Sequence, residues 1–318
     1  RTWVNDHTVF THGFGVVAAY GNRVASDGRP LFFQSGIPST GELGDYEPRV
    51  YFGTTLPDYS IVGATEGTAP WELDYPDDAS GGQVNTTYQG DGGPSIGSPF
   101  AKVMFAIKYG ETQILFSSRV TSESQILYYR DPLERVARVA PYLELDSTTY
   151  PAVVDGRLVW IVDGYTTSQT FPYSASVTGP TLFADADPLQ PTVLNYIRNS
   201  VKATVDAYDG SITLYAWDEE DPILKAWSEV FPTTIKPISE ISSDLMSHLR
   251  YPEELFAIQR FQLASYHVSD ASEFYSGQDF WRSPTDPTNP SVIQPPYYLT
   301  LQMPGQSEPT FSLTSTYI

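Results

Sequence analysis

The chain has 318 residues, 41% of them hydrophobic and 14% aromatic, enough to bury a sizeable core and too apolar for a disordered or low-complexity segment. Lys+Arg 18 against Asp+Glu 38 gives a net charge of −20, which leaves too few cations for a nucleic-acid surface or for a basic face on anionic lipid. Cysteine is absent, so thiolate nucleophiles, thiolate zinc sites, iron–sulfur clusters and disulfides are excluded.

Near the start, Asp6, His7 and His12 lie close together in Trp3-Val-Asn-Asp-His-Thr-Val-Phe-Thr-His-Gly. A carboxylate and two imidazoles suit a metal ion or acid–base work. Neither a strand nor a helix puts positions five apart on one face, so a role in a turn is favoured over a zinc site. Residues 64–97 are dense in Gly, Pro, Asp, Ser and Thr and longer than an ordinary connection. Such a stretch predicts a functional loop, an internal domain boundary or a mobile segment. Within it Gly93-Pro-Ser95-Ile-Gly97 matches the G-x-S-x-G pattern of a nucleophile elbow. The preceding residues lack the apolar run of a buried strand, which favours a flexible loop over a nucleophilic Ser95. The run leads into a helix at Ser98-Pro99, so Gly92, Gly93, Ser95 and Ser98 are candidates for cradling a phosphate or carboxylate. Simple capping by Ser98 is the competing reading, and no Gly-Lys-Ser/Thr follows to make a P-loop.

Asp131-Pro132 and Asp221-Pro222 mark two further helix starts, each a polar cap followed by proline at the first helical position. Glu134 stands where a reciprocal cap requires it, and Leu133, Val136, Ala137 and Ala140 form an apolar stripe. After the second start, Ile223, Leu224, Trp227 and Val230 repeat the pattern. Pro151-Ala-Val-Val, Asp155-Gly156 and Arg157-Leu-Val-Trp-Ile-Val predict a two-residue hairpin, with Asp163-Gly164 continuing it into a meander. Val201 to Tyr208, Asp209-Gly210 and Ser211 to Trp217 predict a second, with Val201, Ala203, Val205 and Ala207 on one face and Lys202, Thr204, Asp206 and Tyr208 on the other.

Asp218, Glu219, Glu220 and Asp221 form the densest acidic run, the oxygen chemistry that a hard cation such as calcium takes. Solvated first-turn acids are the plainer reading. Calcium is the one cofactor left open. Pro252 to Tyr266 predicts the longest helix, with Leu255, Phe256, Ile258, Phe261, Gln262 and Leu263 making one broad buried side. Arg282 to Pro296 reads as an extended connection before strand-like residues at Thr310 and beyond. Helices and hairpins alternate irregularly, which predicts α+β: antiparallel hairpins and meanders packed with several helices in an irregular mixed architecture, not a βαβ array. Twenty-two Tyr, 16 Phe and 6 Trp beside paired carboxylates suit sugar-binding grooves and glycosidases, although aromatics in β-rich folds more often serve the core.

Several stretches are similar to one bacterial family of large integral membrane proteins, uncharacterised protein family 0182. They are the opening Trp3 segment, Ile126-Leu-Tyr-Tyr-Arg-Asp-Pro-Leu-Glu-Arg-Val, Pro151 to Thr167, Asn195 to Gly210 and Gln294-Pro-Pro-Tyr-Tyr-Leu-Thr-Leu-Gln-Met-Pro-Gly. The resemblance implies N-terminal transmembrane helices followed by a large extracytoplasmic region, with residues 1–318 as its middle part. The chain itself reads as soluble, on the outer side of the cell membrane, with its own transmembrane region as a partner. The family has no assigned activity, so no catalytic residue is carried over. The expected function is non-catalytic binding or scaffolding in the cell envelope, with a glycan, lipid or protein partner. The alternatives are a hydrolase of envelope glycans or lipid-linked material using paired carboxylates, and a subunit-contact module.

Overall fold

A computed structural model describes residues 2–77, 80–178 and 193–318. After a π-helical turn at Asn5–Val9, β1 (Gly13–Phe14) opens an excursion of three antiparallel strands, β2 (Ala18–Val24), β3 (Pro30–Ser35) and β4 (Thr40–Gly41), and β5 (Arg49–Val50) returns to pair with β1. β6 (Tyr59–Val62) is buried throughout. β7 (Glu72–Asp77) and β8 (Gly82–Thr86) pair with each other, so the Gly/Pro-rich segment carries a hairpin. α1 (Pro99–Tyr109) and α2 (Gln113–Phe116) follow, and β9 (Gln125–Tyr128) pairs antiparallel with β6.

The G-x-S-x-G stretch packs against β9 and the segment leading into it. A Cβ on Gly93 would lie 2.2 Å from the Ile126 carbonyl oxygen and one on Gly97 1.9 Å from that of Ser122. The pattern therefore records close backbone approach.

The second part holds α3 (Pro132–Val139), β10 (Glu144–Leu145), β11 (Tyr150–Val154), β12 (Arg157–Ser168), β13 (Val177–Thr178), β14 (Val193–Leu194), β15 (Tyr196–Asp206), β16 (Ile212–Ala216), α4 (Pro222–Val230) and β17 (Ile235–Lys236). Among the described residues the largest sheet has six strands in the order β10-β12-β15-β16-β17, with β11 also on β12. All its pairings are antiparallel except β16 with β17, which α4 connects as a lone βαβ unit. One face is covered through Val136, Ala140 and Leu224 from α3 and α4 against Val162, Val201, Ala203, Val205 and Leu214. On the other, Leu245 of α5 (Ser243–His248) packs against Ala152, Val154 and Ile161. α6 (Glu253–Tyr266), α7 (Ala271–Ser276) and the hairpin of β18 (Tyr297–Leu301) with β19 (Thr310–Thr314) complete the α+β fold. Among the described residues no helix is long and apolar enough to cross a membrane.

The three proline-led helices start where predicted, capped by Ser98, Asp131 and Asp221. Glu134 does not return the cap: it pairs with Arg138 one turn on, at 2.9 Å. The first hairpin turn has Asp155 at φ 50° and Gly156 at φ 77°, as a two-residue type I′ turn requires. Gly156→Val is expected to cost about 1–2 kcal/mol, because a β-branched residue is strained at positive φ. The position is otherwise open, with only the Asp45 carbonyl oxygen within 4 Å, at 3.8 Å. An unchanged melting temperature would remove this turn assignment.

Three expectations need correction. Asp163-Gly164 is no turn; it lies inside β12, where the register with β15 shifts between Gly164 and Tyr165. The slip leaves Ser200 of β15 without a cross-strand partner on β12, and Gly164 opposite it is closely packed, a Cβ there lying 3.0 Å from Leu143 and 3.3 Å from Val201. The second hairpin closes through a longer loop: Asp206 N–H donates to the Ser211 carbonyl, and the Asp206 carboxylate accepts the N–H groups of Tyr208 and Asp209. Gly210 takes the left-handed position at φ 72°. In α6 only Leu255 and Ile258 are buried, while Phe261 and Leu263 are exposed. The helix touches Tyr165, Leu194 and Ile197 through Leu255, so its later turns extend past the sheet.

Candidate binding cleft

A cleft of about 650 Å³ opens between β15, the β16–α4 turn, and the stretch from the end of α5 into α6. Lys202 and Asn199 line it from β15, and Asp163 of β12, the cross-strand partner of Lys202, lies behind them. Lys202 is 1% exposed, forms a salt bridge to Asp163 Oδ1, and donates from Nζ to the Arg250 carbonyl at 2.9 Å. Burial pushes the Asp163 carboxyl above its ordinary value, opposed by the adjacent amine.

The register slip at Gly164 decides what joins Lys202 in this lining. Strand alternation alone would put Asn199 on the face opposite Lys202. The one-residue slip turns Asn199 toward Asp163, where Nδ2 donates to Oδ1 at 3.0 Å and makes a longer contact with the Gly164 carbonyl. Both Nδ2 partners are acceptors, which fixes the orientation of the amide. Asn199 is 9% exposed, and its Oδ1 is buried with no hydrogen-bond partner among the described residues.

The walls are held from outside. Tyr150 stacks on Arg250 at 3.5 Å and donates to the His248 carbonyl, while accepting from Arg250 N–H. Burial pushes the Tyr150 phenol up to about 12, so it stays a donor at neutral pH. Tyr251 is exposed and fixed by its hydroxyl, which donates to Gln259 Oε1 at 2.6 Å. Trp217 also lines the cleft, with Lys202 Nζ 5.3 Å from its ring.

The acidic run lines the mouth, each carboxylate already engaged. Asp218 pairs with Arg198 at 3.1 Å, Glu219 accepts Ile238 N–H at 3.0 Å, and Glu220 pairs with Lys225 at 2.9 Å. Lys225 holds the Glu220 carboxyl below its ordinary value. Asp221 is fully buried beneath them as the α4 cap, accepting from the hydroxyls of Thr166, Ser200 and Tyr196.

The other sequence candidates lie elsewhere. His7 stacks on Tyr59 with ring centroids 4.0 Å apart and donates from Nδ1 to its carbonyl, in the same turn as Asp6. His12 contacts Asp74 at 3.3 Å, and Asp74 takes both arms of Arg49. Among the described residues no three His, Asp or Glu side chains are grouped to hold a metal ion. Gly92 N–H donates to the Tyr88 hydroxyl, Ser95 Oγ accepts Gly97 N–H, and Ser98 Oγ accepts Ala101 N–H. Sequence reasoning did not single out Lys202, Asn199, Trp217 or Tyr251. Lys202 sits on the nominally solvated face of its strand, and the glycine opposite the bulge also fits a turn.

The model of the Uncharacterised protein family (UPF0182) matches residues 1–318. A UPF0182 protein of Bifidobacterium longum is 57% identical over all of this chain, and one of Bifidobacterium adolescentis 58%. One of Clavibacter michiganensis subsp. michiganensis is 56% identical, again over all of the chain. The chain spans 31% of the two Bifidobacterium proteins and 33% of the Clavibacter protein, about a third of each. No solved structure matches it. A match running from the first residue to the last, together with relatives sharing more than half of its residues, places this chain in the Uncharacterised protein family (UPF0182).

Proposed function

We propose that this chain is a non-catalytic binding domain on the outer side of a cell-envelope membrane protein, and that its cleft holds a sugar-containing envelope component. The observation that carries the reading is the unpartnered Asn199 Oδ1 in a cleft flanked by Trp217 and Tyr251. A buried acceptor without a donor costs about 1–3 kcal/mol, and a ligand hydroxyl is the donor that recovers it. Aromatic faces take the C–H faces of a sugar ring, while amide, carboxylate and guanidinium groups take its hydroxyls. Two of the three acids at the mouth, Asp218 and Glu220, are neutralised by Arg198 and Lys225, and the third, Glu219, is engaged by a backbone N–H, which suits a neutral glycan better than an ion. Lys225 holds the Glu220 carboxyl down, and Asp163, whose carboxyl burial raises, is paired with Lys202 and does not line the cleft, which argues against a general acid here.

The test is a thermal-shift titration with neutral hexose and N-acetylhexosamine oligosaccharides, with calcium as a separate titrant. A ligand at about 100 times its Kd should stabilise the chain by about 2.7 kcal/mol. Trp217→Ala should weaken binding by about tenfold, roughly the contribution of one aromatic contact. No stabilisation by any saccharide, or turnover of one, overturns this reading.

A further inference from the structure

A second cavity, of about 600 Å³, adjoins the first, and Gln259 lines both. Its character is different. Phe256, Leu263, Tyr266 and Tyr317 give its wall large apolar surfaces, and the one charged side chain in that wall, Arg260, donates from Nη1 to the Gln294 carbonyl and Ser315 Oγ, both at 2.8 Å. The wall is also braced, because the Tyr317 hydroxyl donates to the Arg260 carbonyl at 2.9 Å. Leu263 is 48% exposed and Tyr266 67% exposed on the turns of α6 that extend past the sheet. One helix thus borders a polar, aromatic cleft on its first turns and an apolar trough on its later ones.

We propose that the two cavities bind one amphiphile, with its polar headgroup in the Asn199 cleft and a single hydrocarbon chain in the trough beyond Gln259. The inference rests on the cleft being a saccharide site and names the class of ligand: a glycolipid. The segregation of polarity across Gln259 favours an alkyl chain over a peptide, whose backbone would need hydrogen-bond partners along its length. Among the described residues Arg260 is the only charged side chain in the wall of the trough and is already engaged, and the polar Ser174, Gln259, Gln262 and Ser315 share that wall with Phe256, Leu263 and two tyrosine rings.

The experiment titrates the chain with the saccharide that binds the cleft, then with its octyl, decyl and dodecyl glycosides below their micelle concentrations, and with the matching alkanols. Affinity should rise about fourfold for each methylene buried, until the trough is full. Leu263→Glu should abolish this dependence on chain length and leave the free saccharide's affinity unchanged. Tyr266→Ser, at a more exposed position, should flatten it in the same direction. Phe100→Glu serves as a control on the exposed face of α1, where Phe100, Val103, Met104 and Ile107 form another apolar stripe, and should change nothing. Saccharide binding that ignores chain length overturns the amphiphile and leaves the cleft standing. Chain-length dependence that survives Leu263→Glu, or alkanols binding as tightly as their glycosides, also overturns it. Failure of every saccharide removes the cleft reading, and the amphiphile with it.

Discussion

Lys202→Met is expected to cost about 3–5 kcal/mol at neutral pH, as breaking a buried ion pair by removing one partner does. It leaves the Asp163 carboxylate buried, with Asn199 Nδ2 as its remaining side-chain donor among the contacts described. Lys202→Met combined with Asp163→Leu should recover most of the loss, because the cost lies in the stranded charge more than in the lost bond. The deficit of the single variant should also depend on pH. Burial already raises the folded-state pKa of Asp163 while Lys202 pulls it down; without the amine it rises further. Between the unfolded carboxylate value near about 4 and that raised folded value, the native state holds a proton that the unfolded chain has released. Stability conferred by that proton is lost as pH rises through this window and regained as pH falls into it. Urea-unfolding midpoints at pH 5 and pH 7.5, taken as differences from the unmodified protein, should show a smaller deficit at pH 5. Equal deficits would mean that the carboxylate finds other partners.

Arg130→Met should cost about 3 kcal/mol or more. Arg130 is 3% exposed, and burial lowers its pKa from the ordinary arginine value. Its acceptors are neutral: Nε donates to the Tyr51 carbonyl, Nη1 to Ser60 Oγ and Nη2 to the Thr11 carbonyl. Removing the guanidinium takes the donor from these three acceptors, and from the more distant Pro57 carbonyl at 3.5 Å, at about 1–3 kcal/mol for each one orphaned, offset in part by no longer desolvating a cation. Thr11 and Tyr51 also donate their hydroxyls to Glu72 Oε2, so the cation and the carboxylate share the same two carriers. Arg130→Lys should recover less than half of the loss, since a single ammonium cannot match the planar fork. Denaturant midpoints of the two variants check this; a lysine variant as stable as the original would show that charge alone suffices.

The parts of the fold legible in the sequence are those written locally. Asp-Pro and Ser-Pro caps place α1, α3 and α4, and Asp155-Gly156 places a turn, because a few neighbouring residues fix each conformation. Asp163-Gly164 misleads because glycine serves a turn and a closely packed strand position equally well, and only the neighbouring strand decides between them. Asp209-Gly210 misleads because Asp206, outside the pair, caps the loop. The cleft was illegible for a related reason: its lining is set by a register slip, which no alternation of residue types records. The acidic run was visible in the sequence, yet its partners Arg198 and Ile238 lie roughly twenty positions away on either side. The broad buried side expected of α6 is buried only at Leu255 and Ile258, because the sheet beneath the helix ends before Phe261 and Leu263, and the sequence does not record that reach.

Glu72 accepts the N–H groups of both Gly63 and Tyr88 as well as the two hydroxyls. One carboxylate therefore ties off both ends of the chain excursion that contains β7 and β8. Outside its buried residues Glu72 and Asp74, that excursion can lengthen or shorten without transmitting the change inward, and doubling such a loop adds only about 0.6 kcal/mol of closure entropy. This is a place where insertions can accumulate at little thermodynamic cost, so the molecule can acquire new surface there while its interior stays fixed.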